Sequence, residues 1–386
     1  MTMTNPEKTL GLYLHVPFCV QKCRYCDFHS AAATAATKEA YVAALAAHLR
    51  EKSAYGADFL VESVYFGGGT PTVLSAAQLT LLLDTVRDCY HLAPDAEITV
   101  ECNPVTGGEE MLAALRAAGF NRLSIGLQSA NDCELSLLGR AHDFAAFRET
   151  FAAARRVGFD NISVDVMFGI PSQTMDTLTS TLDAVIALSP EHISAYGLRI
   201  EEGTPFYLQQ ETLLLPDEDT VVDMQLLIAA RLRAAGYLHY EVSNYAKAGK
   251  ESRHNTRYWE FLPYLGFGAA AHSYFGGERY AAPRDTALYV DAIEKREFDR
   301  IELDKYKVCG KEAQDEYVML KMRLFEGIDE AEFYTRFGIS FADAYGDTAR
   351  LESGGFLERR GGRIAFTEEG MYVSNAILSD WLDFGK

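Results

Sequence analysis

The chain reads as an α/β protein built on a parallel sheet, with a smaller α+β module at its end, and three features predict this. Six short apolar runs, at residues 12–16, 61–66, 97–102, 122–127, 162–168 and 192–198, alternate with segments whose apolar residues recur at helical spacing. Such alternation places parallel strands inside and crossover helices outside, in an open doubly wound sheet or in a barrel. The residues that carry chemistry fall at or just after the ends of these runs, where both architectures collect their ligand sites. The last 76 residues change texture, to helices and a hairpin.

The totals bound the rest. With 386 residues the chain has room for about two domains. A hydrophobic content of 48% and a charged content of 24% are those of a globular protein able to bury a full core. The formal net charge of −19 argues against nucleic acid as a partner, because binding phosphates needs clustered Lys and Arg. Seven cysteines without paired spacing suit a reducing compartment rather than a disulfide framework. Residues 1–10 have neither the apolar core of a signal peptide nor the Arg-rich pattern of a transit peptide, and no transmembrane segment is expected. The expected location is the cytoplasm, or the periphery of a membrane.

The first run ends in Cys19-Val20-Gln21-Lys22-Cys23-Arg24-Tyr25-Cys26. Three thiolates in C-x3-C-x2-C spacing can wrap a loop around one [4Fe–4S] cluster, leaving the fourth iron open to a small-molecule ligand. Zinc is the alternative, with His15 or His29 as a fourth ligand, although structural zinc sites favour two separated Cys pairs and no second pair exists here. A helix follows over 38–52, with Tyr41, Leu45 and Leu49 on one face. The second run leads into Gly67-Gly68-Gly69-Thr70-Pro71, where missing side chains let a ligand approach the backbone, and then into a helix capped by Ser75 with Gln78.

Helices are expected at 109–118, 144–157 and 174–188, and Glu101, Gln128 and Asp165 fall at or near strand ends. Cys89, Cys102, Cys133 and Cys309 read as small buried hydrophobes. A long amphipathic helix over 217–235 ends at Gly236. Beyond it, the stretch His254-Asn255-Thr256-Arg257-Tyr258-Trp259 sets an imidazole among aromatic rings on what reads as a loop. Such an imidazole can ligate a haem iron, or it can be hydrogen-bonded packing; His142 and His272 read as packing. The tail reads as helices followed by a hairpin turning at Gly361-Gly362, a winged-helix-like pattern whose acidic excess argues for packing rather than DNA binding.

Taken together, His15-Val16-Pro17-Phe18-Cys19 and its cysteine loop, the Gly-Gly-Gly-Thr-Pro-Thr run, Glu101-Cys102-Asn103-Pro104, Ser124-Ile125-Gly126-Leu127-Gln128-Ser129 and the H-N-x-x-Y-W stretch resemble the coproporphyrinogen-oxidase branch of the radical S-adenosylmethionine superfamily. Within that branch the likeness is greatest to the HemW-type haem chaperones. The resemblance implies a partial (β/α)6 barrel over 1–236, a connecting region over 237–310 and a winged-helix-like domain over 311–386. It implies Cys19, Cys23 and Cys26 as cluster ligands, with S-adenosylmethionine among Tyr13, Tyr25, Gly68, Gly69, Thr70, Glu101, Gln128, Arg140 and Asp165, and haem as cargo at His254. The oxidases of the branch carry a fourth cysteine two residues beyond the third, where this chain has Phe28.

Two functions follow from this resemblance. One is a haem chaperone that hands haem to haem-requiring proteins, membrane respiratory enzymes among them. The other is an oxygen-independent coproporphyrinogen III oxidase, in which the reduced cluster splits S-adenosylmethionine to a radical that starts the loss of carbon dioxide from a propionate. Phe28 and the His254 stretch favour the chaperone.

Overall fold

Each of the first strands alternates large apolar residues with polar or small ones. In β1 (Thr9–Val16) Leu10, Leu12, Leu14 and Val16 are fully buried, with Gly11, Tyr13 and His15 between them. A strand points successive side chains to opposite faces, so the leucine side covers itself with helices while the other side is left for polar groups. The computed structural model, which describes residues 8–382, repeats this scheme six times. The expectation for residues 1–7, that they carry no leader, lies outside the described residues.

The units run β1, α1 (Ala35–Glu51), β2 (Leu60–Gly68), α2 (Ala76–Cys89), β3 (His91–Cys102), α3 (Glu109–Ala118), β4 (Arg122–Gln128), α4 (Asp132–Leu138) with α5 (Phe144–Arg156), β5 (Ile162–Phe168), α6 (Met175–Leu188), β6 (His192–Gly197), then α7 (Pro205–Leu208) and α8 (Glu218–Ala234). Strands β1 to β6 lie side by side in sequence order, every pair parallel. That order settles the choice left open by the sequence. Right-handed crossovers that always step in the same direction put every helix on one face, so the sheet curls into a partial barrel instead of winding both ways. Its outer face carries the main core, with Leu12, Val64, Val100, Ile125, Val164 and Ile193 under the helices.

Residues 237–310, read as a connecting region, extend this sheet at both edges. β7 (Leu238–Glu241) and β8 (Asn244–Ala246) add beside β6. After α9 (Arg253–Trp259), β9 (Tyr264–Phe267) pairs parallel to β1, and β10 (His272–Phe275), β11 (Glu278–Ala281) and, past α10 (Thr286–Glu294), β12 (Leu303–Lys307) continue as an antiparallel wing. The sheet thus has twelve strands among the described residues. The strands are short and follow one another without the strand–helix rhythm, which is why periodicity did not pick them out.

The tail opens with α11 (Gly310–Lys321) and forms a three-stranded antiparallel sheet of β13 (Ile328–Asp329), β14 (Leu357–Arg360) and β15 (Arg363–Phe366), with short helices around it. The β14–β15 turn is made by Gly361 and Gly362, both at positive φ (59° and 79°), the conformation a two-residue hairpin turn requires. This module shares a core with the wing: Phe261, Tyr264 and Tyr274 pack with Tyr317, Phe333 and Phe366.

Candidate functional site

The cysteine loop leaves β1 at the carboxyl end of the sheet and is pinned at its base. Cys19 N–H donates to Ala31 O at 3.1 Å and Ala31 N–H to Pro17 O at 3.1 Å. Its far side is held by the segment after β4, where Arg24 N–H donates to Leu138 O at 3.0 Å and the Gln21 amide to Gly139 O at 3.1 Å. The three thiols Cys19, Cys23 and Cys26 stay partly exposed and unpaired. Burial pushes the Cys26 thiol up to about 11, the neighbouring Cys23 and Cys19 adding to it.

The glycine run fits against this loop. Gly69 N–H donates to Val16 O at 2.9 Å and Thr70 N–H to Phe18 O at 2.7 Å, while the Thr70 hydroxyl lies 3.6 Å from Cys19 Sγ. A Cβ on Gly69 would stand 2.5 Å from Phe18 O and 3.0 Å from Cys19 Sγ, so only glycine lets the loop approach this closely. Gly68, at φ 114°, would drive a Cβ into the His15 ring.

Below the loop the inner face of the barrel forms a cavity of about 610 Å³ into which many polar residues are gathered. Of the thirteen residues that the resemblance singles out, all except Tyr13 and His254 line it. Glu101 accepts from the Tyr65 hydroxyl at 2.9 Å and from Gly68 N–H at 3.2 Å. Burial pushes its carboxyl up to about 8, the nearby Asp165 adds to the rise, and the two hydrogen bonds offset part of it. Asp165 is itself raised by burial. Arg140 reaches in from the segment after α4, donating to Gly126 O at 2.8 Å, to Cys23 Sγ at 3.5 Å and to the Tyr25 hydroxyl at 3.5 Å; its Nε is buried without a partner. Gln128 stands at a bulge with φ 75° and accepts from the Tyr196 hydroxyl at 2.7 Å.

Tyr13 faces the neighbouring side of the lumen, its hydroxyl 3.0 Å from His15 Nδ1. His254 is the residue the structure holds apart. It sits on α9, not on a loop, and is 1% exposed. Ser63 Oγ lies 2.9 Å from Nδ1 and the Tyr258 hydroxyl 2.8 Å from Nε2, and the ring stacks on Tyr65. With burial holding its pKa down to about 3, it is a neutral imidazole with both nitrogens engaged, so as placed it offers no free nitrogen to a metal. Two further expectations are corrected. His272 is exposed rather than packed, and Cys133 and Cys309 are exposed while only Cys102 is fully buried.

The cavity also uses residues that motif reading missed. Arg122, Ser163, Ser194 and Tyr196 line it, all from inward positions of β4 to β6. Arg122 is 2% exposed, and its Nε lies 3.8 Å from Glu97 without making a hydrogen bond. The signal was present as period-two alternation, Arg122-Leu-Ser-Ile-Gly-Leu-Gln128 being polar or small at every second place.

Comparisons with known proteins show the family of the chain. Residues 13–185 match the model of the radical SAM superfamily and residues 310–373 that of the HemN C-terminal domain. Over 374 residues, covering 96% of this chain and 98% of the relative, the sequence is 34% identical to the heme chaperone HemW of Bacillus subtilis (strain 168). It is 40% identical over 264 residues to the heme chaperone HemW of Escherichia coli (strain K12), covering 68% and 69% of the two chains. The solved structure of the coproporphyrinogen III oxidase HemN from Escherichia coli superposes with a TM-score of 0.85 at 24% identity, covering 98% of this chain and 91% of that one, and shows the shared fold. The chain therefore belongs to the radical S-adenosylmethionine superfamily and, within its coproporphyrinogen-oxidase-like branch, to the HemW family.

Proposed function

We propose that the protein is a haem chaperone, which binds haem and passes it to haem-requiring proteins while carrying a [4Fe–4S] cluster and S-adenosylmethionine. The observation that carries this reading is the similarity, over nearly the full length, to relatives named as heme chaperones. Membership of the superfamily implies the cluster and S-adenosylmethionine. The residues present suit both. Three accessible thiols on one loop suit three irons of a cubane, and the glycine at 69 leaves backbone, not a side chain, beside Cys19.

In this reading Cys19, Cys23 and Cys26 hold the cluster. When bound, cluster and S-adenosylmethionine supply one-electron chemistry. Backbone at Gly68, Gly69 and Thr70, with Glu101, Gln128 and Asp165, offers acceptors and donors to an amino group and to ribose hydroxyls, and the Arg140 guanidinium suits a carboxylate. Tyr25 closes the cavity beside Cys26, and Tyr13 supports the wall through His15. His254 takes part in haem binding only if the Tyr258 hydroxyl leaves Nε2. Acceptor proteins and a place at the membrane periphery belong to this proposal; no helix among the described residues is long and apolar enough to cross a membrane.

The test compares the two functions on one preparation. With the cluster reconstituted and shown intact, the protein is given S-adenosylmethionine, a strong reductant and coproporphyrinogen III, and separately loaded with haemin and mixed with an apo haem protein. Haem transfer without protoporphyrinogen formation is the expected result; catalytic turnover of the porphyrinogen makes it an oxidase despite Phe28. In Cys23→Ser the cubane is expected to be lost, and a full cluster there overturns the ligand assignment.

A further inference from the structure

A second cavity, of about 850 Å³, opens beside the first, within the range of about 300–1,000 Å³ usual for small-ligand sites. It lies on the inner face of the β9–β12 wing and is walled on its far side by Glu316 and Leu320 of α11. Asp27, Phe28, Gly68 and Glu101 line both cavities, so the two adjoin. Phe28 stands at the junction with 64% of its surface exposed. The strand register explains the shape. His272 pairs with Ala281 across β10 and β11, and Ala281 with Leu303 across β11 and β12, so the small Ala281 side chain leaves a dip between two larger neighbours. Ala270, Ala281 and Ala282 leave a shallow apolar floor, and Tyr258 and Tyr264 rise beside it.

The charges of this pocket are unevenly committed. The Arg279 guanidinium donates to the Tyr264 hydroxyl at 3.1 Å, pairs with Glu316 and covers the Tyr274 ring. Arg284 is exposed and, among the described residues, has no carboxylate partner. Its charge reaches His15, His29 and His272, and helps to hold each imidazole below its ordinary pKa, after burial. Asp27 and Asp304 line the same cavity, and Asp304 faces His272. An apolar floor with aromatic walls and one guanidinium left without a counter-ion suits a flat apolar body that bears a carboxylate.

We propose that this pocket is the haem-docking site, with the macrocycle over the floor of Ala270, Ala281 and Ala282 and a propionate carboxylate paired with Arg284. The inference rests on the chaperone reading and adds the location and the anchor. Tyr258 lines the pocket on one side and caps His254 on the other, so a bound macrocycle would lie one hydroxyl away from that imidazole.

The experiment titrates haemin and haemin dimethyl ester into the full-length protein, as wild type, Arg284→Glu and Ala281→Trp, following the Soret band. Wild type is expected to bind the free acid about tenfold more tightly than the ester, the scale of one charge-assisted hydrogen bond. Arg284→Glu is expected to lose that preference while binding the ester as wild type does. Ala281→Trp, which fills the floor, is expected to weaken both ligands, with the cluster spectrum and S-adenosylmethionine binding unchanged. If wild type binds haemin and both variants bind as wild type does, the location is overturned and the chaperone reading stands. If wild type binds no haemin, the chaperone reading fails and takes this inference with it.

Discussion

Glu101 shows how the lumen differs from an ordinary protein surface. Burial, helped by the charge of Asp165, keeps its proton on up to about pH 8, whereas in an unfolded chain a glutamate gives it up near 4.5. The sign follows from linkage. Below about 4.5 both states are protonated and the contribution to stability is complete; between about 4.5 and 8 the unfolded chain ionises while the fold resists, and stability falls as pH rises. Glu101→Gln cannot ionise, so in protein free of S-adenosylmethionine its Tm relative to wild type is expected to climb from pH 5 to pH 8. Superimposable pH profiles for the two proteins would show that Glu101 ionises normally. Single residues were partly legible in the sequence. The cysteines and glycines announce themselves because spacing alone constrains them, whereas Arg122 and Ser163 carry no motif and become visible only when six strands turn their inward faces together.

At the scale of elements, α9 is the one that sequence reading misjudged. The stretch from Arg253 to Trp259 reads as a loop whose imidazole either ligates a haem iron or packs by hydrogen bonds; it is a short helix whose Arg257 is 4% exposed and clamps the barrel floor. Arg257 pairs with Glu62 of β2 at 2.8 Å and donates to the Thr9 backbone carbonyl at 3.2 Å and to Pro263 O at 3.3 Å. Gly11 is a glycine because a Cβ there would meet Arg257 Cδ at 2.6 Å. Arg257→Ala strands several buried acceptors at once and is expected to cost about 2–4 kcal/mol, read from denaturant unfolding. Arg257→Lys keeps the charge but not the fork and is expected to recover only part. A wild-type midpoint in Arg257→Ala would reduce the helix to a surface feature. The motif was legible as a motif; its structural share was not, because two partners of Arg257, Glu62 and Thr9, lie 195 and 248 residues earlier in the chain.

For the whole molecule, the question is how the tail relates to the barrel. Phe261, Tyr264 and Tyr274 of the barrel side share their core with Tyr317, Val318 and Phe333 of the tail, and Lys321 pairs with Glu260 across the same contact. A chain truncated after Cys309 would expose those aromatics, an apolar surface of the kind that drives association. It is expected to melt well below the full chain or to aggregate, measured by thermal unfolding and light scattering; an equally stable, monodisperse product would make the tail a free appendage. Alternation of apolar runs and helical spacing determined from the sequence alone that six strand–helix units form a parallel sheet, and cysteine and glycine spacing marked the two loops that follow its first two strands, since both depend only on residues near one another in the chain. Tertiary structure alone decided that the strands lie in sequence order and curl into a partial barrel, that residues 238–307 complete its edges, and that His254 is sealed while Arg284 is left free, because pairing order and burial depend on contacts between residues that sequence distance keeps apart.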